Sequence, residues 1–313
     1  MPLLRRRSVF AAKTESTIGT AETLTATEGV YLARDFKITP NIAMTRREGQ
    51  GGFNYDESVP EGMMGTCVMT HELTYDGTTI PNWAAVLLPA CGFVDTAGVF
   101  SPVSQGPGSG GVKTITIGQY TDGKLKRLSG AMGSFVITFP TGKAAMIVFT
   151  FTGKYFENET DATILAPTYP TTLPLRFADG TLTWNSVALC TASVTVDAGN
   201  SVIMRECVES GNRTGYKSAL ITNRIPIITA DPEAVLVATQ DRDALWLEST
   251  TAAWALTMNG TGTSTVVFDA PAAQLENKQQ GDRSDMVTDD LTWLATKDTT
   301  PDGELTITFN ATP

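Results

Sequence analysis

The sequence predicts a mainly β protein. Threonine and glycine are frequent along the 313-residue chain, and apolar positions often alternate with threonine, a pattern that favours strands over helices. Phe135–Phe139 and Leu305–Phe309 place apolar side chains at every second residue, whereas Met146–Phe151 is apolar on both faces. Hydrophobic residues make up 42% and charged residues 18% of the chain, so we expect a globular protein with few surface charges.

The first 22 residues are predicted to form a basic N-terminal arm. Arg5, Arg6 and Arg7 precede the apolar stretch Ser8–Ala12. That stretch is too short for the apolar core of a signal peptide, and Lys13 follows it at once. No apolar run approaches the length of a membrane helix, so we expect a protein made in the cytoplasm with no membrane contact.

A helix is predicted between Pro81 and Gly92. Proline suits the start of a helix, glycine suits its end, and the apolar residues from Trp83 to Ala90 recur at a spacing of three and four. We expect this apolar stripe to pack on a sheet.

An internal repeat is the most informative feature of the sequence. Asn41–Arg46 in the first half resembles Asn200–Arg205 in the second, at an offset of 200 − 41 = 159. The same offset carries Trp83 of the predicted helix onto Arg242, and Asp241 is a suitable N-cap for a second short helix.

The repeat predicts two tandem β domains, at 23–156 and 181–313, each with one short flanking helix. Between them, residues 157–180 contain three prolines in a threonine-rich stretch and are predicted to form an extended linker. Each half is expected to end with a strand pair, Gly133–Phe151 in the first and Leu291–Phe309 in the second.

The four cysteines leave two interpretations open. If the chain turns at Ala198-Gly199, Cys190 and Cys207 face each other across a hairpin and form a possible cross-strand pair. The alternative is that they are free thiols, because disulfides are rare in a reducing compartment.

No credible active site can be recognised in the sequence. A catalytic triad would need His71, the only histidine, which we expect to be a packed strand residue. The acidic pairs Asp289-Asp290 and Asp282/Asp285 are typical of solvated loops, and Gly106–Gly111 lacks the ending of a phosphate-binding loop. We therefore expect no enzyme, no cofactor and no metal site, and the net charge of −10 argues against a protein that grips nucleic-acid phosphates.

Several short segments of the first 180 residues or so occur in a recognisable order. They are Leu4–Glu15 with Gly19-Thr20, Pro81 with Leu87–Phe93, Tyr120–Gly123 with Gly130 and Gly133–Phe135, Thr150–Gly153, and Thr171–Pro174 with Phe177. In these segments and their order the chain resembles the major tail tube proteins of long-tailed bacteriophages, the siphophages. The second half resembles this family only through the internal repeat.

The resemblance implies β-sandwich or split-barrel domains that close into rings, with the rings stacked into a hollow tube through which the genome is ejected. A duplicated domain implies homotrimeric rings with pseudo-hexameric symmetry, in the tail of a virion assembled in the host cytoplasm. The implied partners are the chain itself and the tail-tip, tape-measure and tail-terminator proteins, with DNA passing through the lumen without specific binding. We expect contacts between rings at the following residues: Arg5, Arg6, Arg7, Arg46, Arg47, Phe53, Tyr55, Arg205 and Tyr216. The aromatic members lie in two predicted loops, Arg46–Met63 and Arg205–Lys217.

Two alternatives and one question about charge remain open at this point. A β-sandwich receptor-binding or capsid-decoration protein would also explain tandem β domains, but it should expose a cluster of aromatic side chains. A β-rich hydrolase would need a histidine or a paired acid in a cleft. The net acidity makes the tube wall negative, so that DNA slides without sticking, or it serves solubility alone.

Overall fold

The protein is mainly β, with 56% of residues in strands and 6% in helical segments, which confirms the predicted fold class. A computed structural model describes residues 3–155, 159–209, 212–260, 264–299 and 301–310. The strands of the first half are β1 Ser8–Thr14, β2 Ala33–Glu48, β3 Tyr55–Glu72, β4 Phe93–Thr96, β5 Val99–Pro102, β6 Ile115–Thr121, β7 Lys124–Pro140, β8 Met146–Lys154 and β9 Thr160–Asp161. Those of the second half are β10 Gly180–Trp184, β11 Val187–Ala188, β12 Thr191–Asp197, β13 Asn200–Glu206, β14 Tyr216–Arg224, β15 Ile227–Pro232, β16 Thr251–Asn259, β17 Thr265–Arg283, β18 Met286–Ala295 and β19 Thr306–Asn310.

Eight strands form one continuous antiparallel sheet across both halves of the chain. In the first half the order is β2–β3–β8–β7, and in the second half it is β12–β15–β18–β17. The two groups of four join where β7 pairs with β12, with Val136 opposite Asp197 and Pro140 opposite Ser193. The order of strands in the first group therefore recurs in the second.

Two further strands in each half repeat in the same way. In the first half β1 pairs with β6, and β6 pairs with the first part of β7. In the second half β10 pairs with β16, and β16 pairs with the first part of β17. The offset of 159 found in the sequence carries β2 onto the run of β12 and β13, and β3 onto the run of β14 and β15.

A single hydrophobic core crosses the boundary between the halves. Trp83 of the first half and Trp184, Trp254 and Trp293 of the second half are fully buried in the same cluster. The ring centroids of Phe139 and Phe268, one from each half, lie 5.1 Å apart. The halves share their core, so the division into domains at 23–156 and 181–313 stays a prediction.

Both predicted helices are present as short helical segments. The first consists of a π-helical turn, Trp83–Leu87, that continues as α1, Leu88–Ala90. The second, α2, spans Arg242–Leu247, and the Asp241 carboxylate accepts a hydrogen bond from Ala244 N at 2.9 Å, which confirms the N-cap.

Two predictions about strands and loops are wrong. The expected final pair Leu291–Phe309 does not form, because β18 pairs with β17 and β15, whereas β19 pairs with the start of β17 and with β5. The predicted loop Arg46–Met63 is mostly strand, since its glycines are confined to a short turn and to Gly62 within β3. The predicted linker, residues 157–180, has little regular structure, as expected. Its residues 157–158 lie outside the described ranges, and the rest contains only β9, isolated bridges and the first residue of β10.

Candidate assembly surface

The far part of the β2–β3 hairpin, residues 39–61, is a two-stranded ribbon that is exposed on both faces. All its residues are exposed except Gly49 in the turn, which is half-buried. An isolated two-stranded hairpin is marginally stable in water, so such a ribbon is typical of a segment that docks on a partner. We call residues 39–61 the first ribbon. Its exposed large apolar side chains are Ile42, Met44, Phe53, Tyr55 and Val59.

The corresponding hairpin of the second half, β13–β14, is packed against the first half. We call it the second ribbon. Its Val202, Met204 and Ile221 pack with Met132 of β7 in a small apolar cluster. Asn200 fixes its base, because the amide Nδ2 donates to Cys91 O at 2.7 Å and to Gly133 O at 2.9 Å.

The turn of the second ribbon reaches the end of β3. Met63 N donates to Thr214 O at 3.0 Å, and the Tyr216 ring lies so close to Gly62 that a Cβ there would be 2.6 Å from a ring carbon. Tyr216 is therefore half-buried against its own chain, and its role as a contact between rings stays a prediction. Arg205, on the same ribbon, is exposed.

The predicted N-terminal arm is not free. Ser8–Thr14 forms β1, and Val9, Phe10, Ala11 and Ala12 are buried. Arg7 is exposed, yet its guanidinium forms an ion pair with Asp122 at 2.7 Å. Strand β1 shows no alternation of apolar and polar residues in the sequence, because its central residues are buried on both faces. Arg5 and Arg6 remain exposed, as do Arg46 and Arg47 on the first ribbon.

A buried carboxylate ties the N-terminal segment to β6 and β7. Glu15 accepts hydrogen bonds from Gly19 N, Thr114 Oγ1, Thr116 Oγ1 and Gly130 N, at 2.6 to 2.9 Å. Burial lowers the pKa of the nearby Lys154, while the Glu15 carboxylate opposes that shift. Because every oxygen of Glu15 is used in these bonds, the group is structural.

Cys190 and Cys207 do not face each other. All four cysteines are free, and Cys190 is exposed. The chain does not reverse at Ala198-Gly199, since β12 pairs with β15 and β7 while β13 pairs with β14. Residues at equal distances from a turn face each other only when the two strands on either side of the turn pair, and β12 does not pair with β13.

His71 and the acidic pairs do not form a catalytic arrangement. His71 is buried in β3, and desolvation lowers its pKa to about 4, with a partly opposing hydrogen bond between Nδ1 and Glu72 O. Asp289, expected in a solvated loop, is instead buried and paired with Arg242 Nη1 at 2.7 Å. In the described part of the chain, no group of three His, Cys, Asp or Glu residues is placed to hold a metal ion.

The face of the eight-strand sheet that points away from the core carries hydroxyl groups in register, one of them exposed and the other three half-buried. Thr138 of β7 lies opposite Thr195 of β12, which lies opposite Thr229 of β15, which lies opposite Thr292 of β18. Among the described helices, none is long and apolar enough to cross a membrane.

A comparison with protein-family models found no matching family, and a comparison with curated proteins found no match.

Proposed function

We propose that the chain is a structural subunit of a virion, which pairs with copies of itself into rings that stack as the hollow tail tube of a long-tailed phage. The observation that supports this most directly is the junction of β7 with β12. The junction joins β7, the last strand of the first four-strand group, to β12, the first strand of the second group. The second group ends with β17, which is the equivalent of β7.

The two end strands of the eight-strand sheet, β2 and β17, are equivalent to β12 and β7, which pair with each other at the internal junction. The described residues contain no strand paired with the outer edge of β2, or with the outer edge of β17 from Glu276 to Arg283. On β2 the free part is short, because Ile38 N already donates to Gln119 Oε1 and Pro40 has no N–H. The usable edge is therefore Ala33–Lys37.

Pairing β17 of one copy with β2 of the next would repeat the internal junction. Each added copy leaves the same two edges unpaired, so only closure into a ring satisfies all of them. Three copies, each contributing two four-strand groups, make the pseudo-hexameric ring that the family resemblance implies.

The sheet face that points away from the core would then line the bore. Its central row, Thr138, Thr195, Thr229 and Thr292, is uncharged. The strand pairings place the carboxylates Glu72, Asp197, Asp231 and Asp290 on that face as well, together with the cations Arg34, Lys37 and Arg283. Arg34 forms an ion pair with Glu72, and Arg283 forms one with Asp231, so much of this positive charge is offset within the face that DNA phosphates would meet.

The receptor-binding alternative has less support. A glycan-binding protein needs a cluster of exposed aromatic side chains, yet four of the five tryptophans are fully buried. The exposed aromatic residues Phe53 and Tyr55 lie on the first ribbon, and Tyr169 lies in the linker.

Crosslinking between native lysines tests the proposed ring. Within one chain Lys37 and Lys278 lie on the two end strands of the eight-strand sheet, roughly 30 Å apart along it at the usual strand spacing. The proposed pairing brings them together between copies. We expect an amine-reactive crosslinker of about half that reach to join Lys37 to Lys278 between isotopically heavy and light copies, and electron microscopy of concentrated protein to show rings or hollow tubes. Discrete single particles without this crosslink would refute the proposal.

A further inference from the structure

An open groove of about 830 Å³ lies between the end of β14 and the end of β18. Its walls include Ile221, Arg224 and Ile225 on one side and Leu294, Ala295 and Lys297 on the other. Arg224 is held in place by Glu304, with Nε to Oε1 at 2.6 Å, and by Asp302, with Nη2 to Oδ1 at 3.2 Å. The groove is thus a formed surface rather than a gap between loose loops.

The internal repeat identifies the equivalent place in the first half. The offset of 159 carries Gly62–Gly65 of β3 onto Ile221–Arg224 of β14. On the other side, His71 pairs with Ile147 in the first half as Ala230 pairs with Leu291 in the second, so the offset between β8 and β18 is 291 − 147 = 144. That offset carries Thr150–Gly153 of β8 onto Leu294–Lys297, at the end of β18 and just beyond it.

In the first half this place is occupied. The turn of the second ribbon fills it, through the bond from Met63 N to Thr214 O and the contact of Tyr216 with Gly62. The groove of the second half is open, because the described residues include no third ribbon to cover it. The first ribbon, meanwhile, is exposed on both faces.

We propose that the groove between β14 and β18 binds the tip of the first ribbon, residues 47–59, of a second copy of this chain. The inference rests on the proposed self-assembly and names the contact that completes it. The offset places Tyr55 of the second copy where Thr214 lies in the first half, and Val59 where Ser218 lies. Their exposed apolar side chains meet Ile221, Ile225, Leu294 and Ala295 of the groove.

The base of the first ribbon meets equivalent partners in the same arrangement. Asn200 binds Cys91 O and Gly133 O, and Asn41 is its equivalent. The offset of 159 carries Cys91 onto Thr250. Gly133 pairs with Phe151, and Ala295, the equivalent of Phe151, pairs with Ala273, so Ala273 is the equivalent of Gly133. Ala273 lies opposite Ala252, two residues after Thr250, so both equivalents lie at the same end of the β16–β17 pair, where Asn41 of the second copy would bind.

Photo-crosslinking at position 55 tests this docking. Tyr55 is replaced by p-benzoylphenylalanine in full-length protein, with the same replacement of Tyr169, an exposed tyrosine of the linker, as the control. In mixed heavy and light assemblies we expect position 55 to crosslink to segments 221–226 or 294–297 of another copy, and position 169 to reach neither. Crosslinks from position 55 that fall within its own chain, or on another surface, overturn the proposal.

Charge substitutions provide a second readout. Tyr55→Asp on the ribbon and Ile225→Asp in the groove should each weaken self-association at least tenfold in sedimentation analysis, while Tyr169→Asp changes it less than twofold. All three side chains are exposed, so we expect the folded monomer to be retained. Unchanged association of Tyr55→Asp overturns the docking alone, if the Lys37–Lys278 crosslink still forms. A wild-type protein that neither associates nor crosslinks overturns both the docking and the proposed function.

Discussion

Replacing Phe139 with alanine should destabilise both halves of the chain together. Phe139 is fully buried in β7, and its ring centroid lies 5.1 Å from that of Phe268 and 6.0 Å from that of Phe177. Deleting a buried phenylalanine side chain costs about 3–5 kcal/mol, and losing an aromatic pair adds about 1 kcal/mol. We therefore expect Phe139→Ala to lower the free energy of unfolding by about 4–6 kcal/mol.

The assay is denaturant unfolding followed by two probes, one for each half. Trp83 reports on the first half, and Trp184, Trp254 and Trp293 report on the second, so single-tryptophan variants separate the signals. Because the core is continuous across β7 and β12, both probes should shift by the same amount in Phe139→Ala. Phe177→Ala, at a half-buried position, is the control and should cost less. Two separate transitions, with only the first half affected by Phe139→Ala, would refute the shared core.

Three further predictions concern stability. Gly199→Ala should cost more than 2 kcal/mol, because φ is +62° and a Cβ would lie 1.9 Å from a backbone carbonyl oxygen, whereas Gly215→Ala, at φ +76° in open space, should cost about 1 kcal/mol; urea unfolding measures both. Arg242→Met should cost about 3 kcal/mol because it leaves the buried Asp289 with only the more distant Lys278 Nζ, at 4.0 Å, as a charged partner, and adding Asp289→Leu should recover part of the loss; full additivity would contradict the ion pair. The folded-state pKa of His71 is lowered from 6.5 to about 4, so its neutral form contributes stability that is present above pH 6.5 and lost as pH falls toward 4; His71→Phe should remove that slope, and an unchanged pH profile of unfolding would contradict the burial.

Local patterns in the sequence were sufficient for some of the fold. Alternation at Phe135–Phe139 marked part of β7, and Asp241 marked the start of α2, because both depend on neighbouring residues. The offset of 159 located the equivalent hairpins of the two halves. The junction of β7 with β12 could not be read in this way, since pairing between strands far apart in sequence leaves no local periodicity.

The candidate site was predicted only in part. Glycines between Arg46 and Met63 suggested a loop, yet three of them lie in the turn at residues 49–52 and the strands continue on both sides. Phe53 and Tyr55 were predicted to be contacts between rings, and both side chains are exposed, as such contacts require. Tyr216 was predicted with them because it lies at the end of a predicted loop. The sequence could not indicate that the second ribbon packs on its own chain, whereas the first ribbon is exposed.

The two junctions differ in chemistry, and the difference bears on how copies would associate. The internal junction is apolar, since Ile137 and Phe139 of β7 and Val194 and Val196 of β12 are all buried. The free part of β17, Glu276–Arg283, has no large apolar side chain. A short polar edge disfavours indiscriminate strand pairing, and it contributes little affinity by itself. The exposed apolar residues of the first ribbon supply what the edge lacks. Edge pairing and ribbon docking would join the same two copies, so either contact places the other at high effective concentration. Assembly should therefore require both, and weakening the ribbon should release the edge as well.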